Sequence, residues 1–257
     1  MSNPATCYFD NNATTQVAPE VIEAMLPFLR DHWGNPSSIY AFGRQLATHL
    51  DDARARVAAL LNAEPREIVF TSCGTESINS ALHSALATQP DKRHILTTAV
   101  EHSATLKCCQ LLQKHGCDVT FLPVSTDGAL DLELLEKSIR PDTAIVSVML
   151  ANNETGLLFP VRDVAAICRR KRVLFHTDAV QTPGKLKVDV RDLDPDFLSL
   201  SAHKLHAPKG IGLLYLKRGV KYQPHIVGGG QERGRRGGTE NPAHIVGFGR
   251  AAELAMQ

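Results

Sequence analysis

Glu67-Ile-Val-Phe-Thr-Ser-Cys-Gly-Thr-Glu76 leads directly into a segment where Ile78, Leu82 and Leu86 recur at helical spacing. The stretch Glu67 to Phe70 reads as a buried strand, Thr71 to Glu76 as a small polar turn, and the remainder as a helix with one apolar stripe. The first amides of such a helix lack intrahelical partners and carry the positive end of its dipole. Gly74 lets a ligand approach the backbone closely, and Thr75 adds a hydroxyl. The stretch therefore predicts an anion cradle at a strand-to-helix junction. An ordinary helix start capped by Thr71 or Ser72 has the same composition.

Working outward, apolar strands are predicted at Ile68 to Thr71, His94 to Ala99, Val119 to Val124, Ala144 to Leu150, Val173 to Asp178, Phe197 to Ser201 and Ile211 to Leu216. Helical patterns fill most intervals, most clearly Asp131 to Ile139 and Val161 to Arg172. Alternation of this kind implies βαβ units, and so an α/β fold with a mainly parallel seven-stranded sheet and helices on both faces. Ligands of such sheets bind beyond the carboxyl ends of the strands. Thr75, His102, Asn153, Asp178 and Lys204 all follow predicted strands and are expected at one edge. The segment from Tyr8 to Leu60 holds two helical patterns, Ala18 to Leu29 and Phe42 to Leu61, and is expected to wrap this single domain, residues 1–257.

Two strand ends carry most of the chemistry. Phe197-Leu-Ser-Leu-Ser-Ala-His-Lys204 delivers a serine, a histidine and a lysine to one place, and an amine that is partly desolvated there becomes a carbonyl-binding nucleophile. Val173-Leu-Phe-His-Thr-Asp178 ends in a carboxylate, followed closely by Gln181. An aspartate for a pyridinium nitrogen and a lysine for a Schiff base are the two groups that pyridoxal phosphate (PLP) most needs. His102 can stack on a flat ring and move protons. Asn153 can donate to an anionic oxygen, although Asn152-Asn153 before a glycine is also ordinary turn chemistry.

The rest of the composition excludes more than it assigns. The 257 residues carry a formal net charge of +1, so no long-range field favours nucleic acid or an anionic membrane. Six cysteines, Cys7, Cys73, Cys108, Cys109, Cys117 and Cys168, show neither Cys-x-x-Cys spacing nor the density of a secreted scaffold, which points to a reducing cytoplasm. No apolar run reaches membrane-spanning length. His203-Lys-Leu-His206 lacks acidic or thiolate partners at ligand spacing, so no metal site is expected. Gly228-Gly-Gly-Gln-Glu-Arg-Gly-Arg-Arg-Gly-Gly-Thr239 interleaves arginine and glycine without aromatics, and reads as an anion-binding loop rather than an RNA-binding one.

Taken together, Asp10-Asn-Asn-Ala-Thr-Thr15, Gly34-Asn-Pro-Ser-Ser38, Phe70-Thr-Ser-Cys-Gly-Thr-Glu-Ser77, Ala151-Asn-Asn-Glu-Thr-Gly156, His176-Thr-Asp-Ala-Val-Gln181, Ser201-Ala-His-Lys-Leu-His206 and the Arg-Gly loop resemble the NifS-type cysteine desulfurases, which are PLP-dependent, fold type I, class V aminotransferase relatives. The first and third of these runs look more like the nitrogen-fixation branch than the housekeeping one. The resemblance implies a homodimer that converts L-cysteine to L-alanine and passes sulfur to an iron-sulfur scaffold protein, in the service of nitrogenase. It implies that Lys204 bonds the cofactor and moves protons, with His102 stacked over the ring. Asp178 would hold the ring nitrogen, Gln181 the phenolate oxygen, and Asn153 cofactor and substrate. Gly74, Thr75, Ser201, Ala202 and His203 would cradle the phosphate, and Thr239 would reach the phosphate of the neighbouring subunit.

Family members continue into a small C-terminal domain with a persulfide-forming cysteine and a substrate-carboxylate arginine, which have no match here. The chain ends at Ala251-Ala-Glu-Leu-Ala-Met-Gln257, inside a helical pattern with no stop signal. The expectation is an incomplete chain, as a natural truncation or as a piece of a longer protein, that is inactive on its own. A selenocysteine lyase, another class V PLP enzyme, and a non-catalytic PLP-binding remnant are the alternatives.

Overall fold

The computed structural model describes residues 7–257. Its elements, in chain order, are α1 (Pro19–Arg30), α2 (Ala41–Leu60), β1 (Ile68–Thr71), α3 (Gly74–Ala87), β2 (His94–Thr98), α4 (Ser103–Lys114), β3 (Asp118–Leu122), α5 (Leu132–Ser138), β4 (Thr143–Ser147), α6 (Val161–Lys171), β5 (Leu174–Asp178), α7 (Val190–Leu193), β6 (Phe197–Ser201), β7 (Gly212–Leu216) and α8 (Pro242–Ala255). Short 3-10 turns at Pro65–Glu67, Ala202–Lys204 and Gln231–Gly234 complete them. No helix among the described residues is long and apolar enough to cross a membrane.

All seven strands form one sheet in the order β1-β7-β6-β5-β4-β2-β3. Strands β3, β2, β4, β5 and β6 run parallel, while β7 is antiparallel to both its neighbours, β1 and β6. The central strands are buried along their whole length because both faces are covered. Ile95, Ile145 and Phe197 pack with α3 and α4 on one face. On the other, Leu198, Leu200, Leu213 and Tyr215 pack with α1, α2 and α8, and Leu96, Val146 and Phe175 pack with α6.

Strand limits differ from the sequence expectation where the backbone leaves the ladder early. Val124 makes only an isolated bridge to Leu130, and Val148 to Leu150 leave the named strand while Val148 and Leu150 still donate to His176 and Asp178 carbonyls. Polar caps set several helix starts: Asp131 accepts from the Leu134 amide, and Asn241, just before Pro242, accepts from the His244 amide. The N-terminal segment is laced to the turn after β6. Thr15 N and Oγ1 both donate to the His203 carbonyl at 3.0 and 2.9 Å, and Ala18 N donates to His206 O at 3.0 Å.

Candidate functional site

A cavity of about 510 Å³ opens beyond the carboxyl ends of β1, β4, β5 and β6. It is lined by Gly74, Thr75, His102, Asn153, Asp178, Gln181, Ser201, His203 and Lys204, nine of the residues singled out from the sequence. Ala202, between Ser201 and His203, is wholly buried and is not part of the lining. Thr239 lies elsewhere, in a second cavity of about 200 Å³ with Thr71, Ser72 and Arg236. Within one chain the two cavities flank the turn between β1 and α3.

That turn is built for close approach. A Cβ on Gly74 would stand 2.9 Å from Val180 Cγ2 and 3.4 Å from Ser201 Cβ, so only glycine fits against the β5 and β6 ends. Cys73 occupies the N-cap of α3 in extended backbone and makes no side-chain cap bond, which leaves the first amides of α3 uncapped by their own side chains. Glu76 closes the back of the turn, accepting from the Ser72 amide at 2.7 Å and from Arg236 in a bidentate pair.

Asp178 is nearly buried at the end of β5, with Oδ1 accepting from the Val180 amide at 2.9 Å. Burial raises its pKa, and the His102 and Lys204 charges oppose that. A buried carboxylate facing a cavity favours a cationic or proton-carrying partner there. Lys204 sits in the 3-10 turn after β6, and its Nζ donates to the Ala13 carbonyl at 2.9 Å and to the Asn12 carbonyl. Burial lowers the pKa of this amine, Lys185 lowers it further, and Asp10 and Asp178 pull the other way. His102 caps α4, with Nδ1 accepting from the Ala104 amide at 3.1 Å. That bond leaves Nε2 to carry the proton of the neutral ring.

The neighbouring asparagines divide the work. Asn152 Oδ1 accepts from the Glu154 and Thr155 amides at 2.9 and 3.0 Å and makes the turn. Asn153 lines the cavity and accepts from Asn12 Nδ2 at its carbonyl, at 3.1 Å. His203 Nδ1 meets the Thr14 hydroxyl at 3.0 Å, and burial with nearby lysines lowers its pKa.

Sequence reasoning missed Asp10, Asn12 and Ala13 as cavity residues, along with Met149, Ala151, Glu154 and Val180. The Asp10-Asn-Asn run was the available signal, since a polar cluster ahead of any strand has no reason of its own. Glu101, fully buried beside His102, was passed over. Its Oε1 accepts from Thr98 and the Met149 amide, both at 2.9 Å, its Oε2 has no protein partner, and burial pushes its pKa up to about 8.

Residues 7–257 match the class V aminotransferase family. A cysteine desulfurase of Nostoc sp. (strain PCC 7120) is 53% identical over 249 residues, covering 97% of this chain and 62% of that protein. The NifS cysteine desulfurase of Azotobacter vinelandii is 52% identical over 254 residues, which is 98% of this chain and 63% of its own. The chain thus spans less than two thirds of the length of these relatives. Among solved structures, a NifS-like protein superposes with a TM-score of 0.94 at 47% identity, over 97% of this chain and 69% of its own. A structure of SspA in complex with cysteine superposes with a TM-score of 0.93 at 40% identity, over 96% and 72%.

Proposed function

Since the chain belongs to the class V aminotransferase family, with NifS-type cysteine desulfurases as its relatives and pyridoxal 5'-phosphate as their cofactor, we propose that the 510 Å³ cavity is the cofactor site of a cysteine desulfurase. The observation that carries this reading is the convergence of a buried carboxylate, Asp178, and a half-buried amine of lowered pKa, Lys204, in a cavity walled by the Gly74 turn. Those donors fit the group. Gly74, Thr75, Ser201 and His203 offer amides, hydroxyls and a ring nitrogen to a phosphate, and Asp178 would hold the proton of a pyridine nitrogen. Gln181 would donate to a phenolate oxygen, and His102 would cover the ring. When bound, the cofactor supplies an electron sink for bond changes at the substrate carbon.

The residues of this chain divide the remaining tasks. Lys204 Nζ, held by the Asn12 and Ala13 carbonyls, would bond the cofactor aldehyde and, once freed by the substrate amine, would take and return protons at the substrate carbon, a role served by the lowering of its pKa through burial. His102 lines the same cavity, and with Nδ1 accepting from the Ala104 amide its Nε2 would carry the proton of the neutral ring. Asn153 orients the substrate. The proposed substrate is L-cysteine and the products are L-alanine and sulfur carried on a thiol, destined for iron-sulfur assembly, in the nitrogen-fixation branch.

The sulfur acceptor is assigned to none of the six cysteines. Cys108 and Cys168 are buried, with thiols pushed up to about 12, and burial pushes Cys109 higher. Cys73 lines the cavity but is fixed in the backbone turn at the N-cap of α3, on the wall proposed to hold the phosphate. Cys117 directly precedes β3, at the sheet edge opposite the cavity, and the exposed Cys7 is not part of the cavity lining. A thiolate must still accept sulfur as the carbon-sulfur bond breaks. The 257-residue chain is therefore expected to hold the cofactor without turnover.

Borohydride reduction of the loaded protein followed by peptide mapping tests the site. The pyridoxyl label is expected on Lys204, and a label on any other lysine overturns the assignment. Alanine release from L-cysteine at background level is expected. A turnover-dependent persulfide on Cys73, abolished by Cys73→Ser, would show that this domain carries its own acceptor.

A further inference from the structure

Gln181 stands between two groups of opposite and unambiguous hydrogen-bonding character. On one side, Lys185 Nζ donates to Gln181 Oε1 at 3.0 Å. On the other, Gln181 Nε2 donates to the Asn12 carbonyl at 3.0 Å. An ammonium only donates and a backbone carbonyl only accepts. Glutamine oxygen and nitrogen are otherwise hard to tell apart, but here both neighbours demand the same orientation. The Asn12 carbonyl also accepts from Lys204 Nζ, so one chain of bonds runs from Lys185 through Gln181 and Asn12 to Lys204.

The turn that carries Lys185 is itself fixed. Thr182 Oγ1 donates to the Ala179 carbonyl at 2.8 Å, and the Lys185 amide donates to Thr182 O at 3.0 Å. Gly184 has φ of +76°, and a Cβ there would stand 2.6 Å from Leu205 Cδ1, so the backbone brings Lys185 back toward Gln181 only with glycine in between.

We propose that Lys185 is a positioning residue for the cavity: by occupying Gln181 Oε1 it turns the amide nitrogen toward the ligand, so that Gln181 meets an anionic ring oxygen as a donor and never as an acceptor. The proposal rests on the reading of the cavity as a pyridoxal phosphate site. The free side-chain amide costs little to flip, and an inverted amide would set oxygen against oxygen. The same ammonium acts on Lys204: after burial it is the largest cause of that amine's lowered pKa, against the opposing charges of Asp10 and Asp178. One surface lysine thereby orders the polarity of Gln181 and favours the neutral form of Lys204.

Lys185→Glu replaces a donor with an acceptor, which opposes the orientation that the Asn12 carbonyl still favours, whereas Lys185→Arg keeps the donor. Lys185 is exposed, so both variants retain the fold, checked by circular dichroism. Titration of the full chain with pyridoxal phosphate is expected to show about ten- to a hundredfold weaker binding for Lys185→Glu and near-native binding for Lys185→Arg. A charge acting at a distance would weaken binding too, and the Gln181→Met background separates the two cases. If Lys185 works through the amide, Lys185→Glu adds little further loss once Gln181 is Met. Retention of its full penalty there overturns the proposal.

A second readout needs no cofactor. The Gln181 side-chain amide signals, assigned by their loss in Gln181→Met, should shift in Lys185→Glu and stay in place in Lys185→Arg. Unmoved signals in Lys185→Glu overturn the proposal. If the wild-type chain fails to bind pyridoxal phosphate at all, the cofactor reading falls, while the amide signals still decide the orientation.

Discussion

His176 is held by its surroundings far from the ordinary chemistry of a histidine. Its ring lies wholly inside the sheet face, between the Ser147 hydroxyl at 2.8 Å and the Ser199 hydroxyl at 2.9 Å, two positions before Asp178 on β5. The two hydroxyls accept and donate as a neutral imidazole requires, so β4, β5 and β6 are tied together beneath the cavity. Burial pushes its pKa down to about 3. A group depressed on folding contributes stability that is complete above its unfolded pKa, near 6.5, and is lost as the pH falls toward the folded value. We expect urea midpoints to decline through that interval, with His176 contributing a slope of up to about 1.4 kcal/mol per pH unit. His176→Gln, which keeps a donor and an acceptor but does not titrate, should flatten this limb; equal slopes for the two proteins would refute the account.

At the scale of an element, the Arg-Gly loop owes its shape to charge pairs that its composition does not announce. Glu232 turns inward and accepts from Arg54 Nη1 and Nη2 at 2.7 Å each and from the Phe70 amide at 2.9 Å. Arg54 also donates to Ile68 O at 3.0 Å and lies 4.7 Å from the Phe70 ring centroid. Arg236 holds the other end of the loop to Glu76 on α3. Glu232 and Arg233 both adopt left-handed backbone, at φ of 47° and 60°, a conformation that non-glycine residues keep only when their surroundings impose it. Removing one partner of a buried pair leaves an uncompensated charge, so Arg54→Met is expected to cost about 3–5 kcal/mol by chemical denaturation. Adding Glu232→Gln should recover part of that loss, because the second change removes the stranded charge. A double variant no more stable than Arg54→Met would show that the pair acts through packing alone.

Across the whole molecule, the position of Thr239 argues for a site completed by a second copy. Thr239 opens into its own cavity rather than the one that holds Lys204, and Ile226 and Val227 leave apolar surface exposed at the start of the same loop. We therefore propose that Thr239 serves the phosphate cradle of a partner subunit. Hybrid dimers formed from Lys204→Ala and Thr239→Ala subunits should contain one doubly damaged site and one intact site. Their cofactor binding should exceed that of either parent homodimer, and hybrids that bind no better would place Thr239 within its own subunit's chemistry.

How much of this could be read in advance depends on the range of the interaction responsible. The seven strands, the intervening helices and the strand-end placement of Asp178 and Lys204 were legible, because period-two and helical spacing are decided within a few residues by backbone geometry and burial. Gly74 was legible for the same reason, since a strand-to-helix turn needs its backbone close to whatever it holds. The clamp of Asn12 and Ala13 on Lys204 was not, nor the Arg54–Glu232 pair, nor the cavity that Thr239 faces. These contacts join residues far apart in sequence, and a charge or carbonyl has no periodicity to say which distant group will meet it. Composition and spacing made the chemistry of each strand end readable, but only the folded path of the chain set Lys185 against Gln181 and so chose which end of that amide faces the cavity.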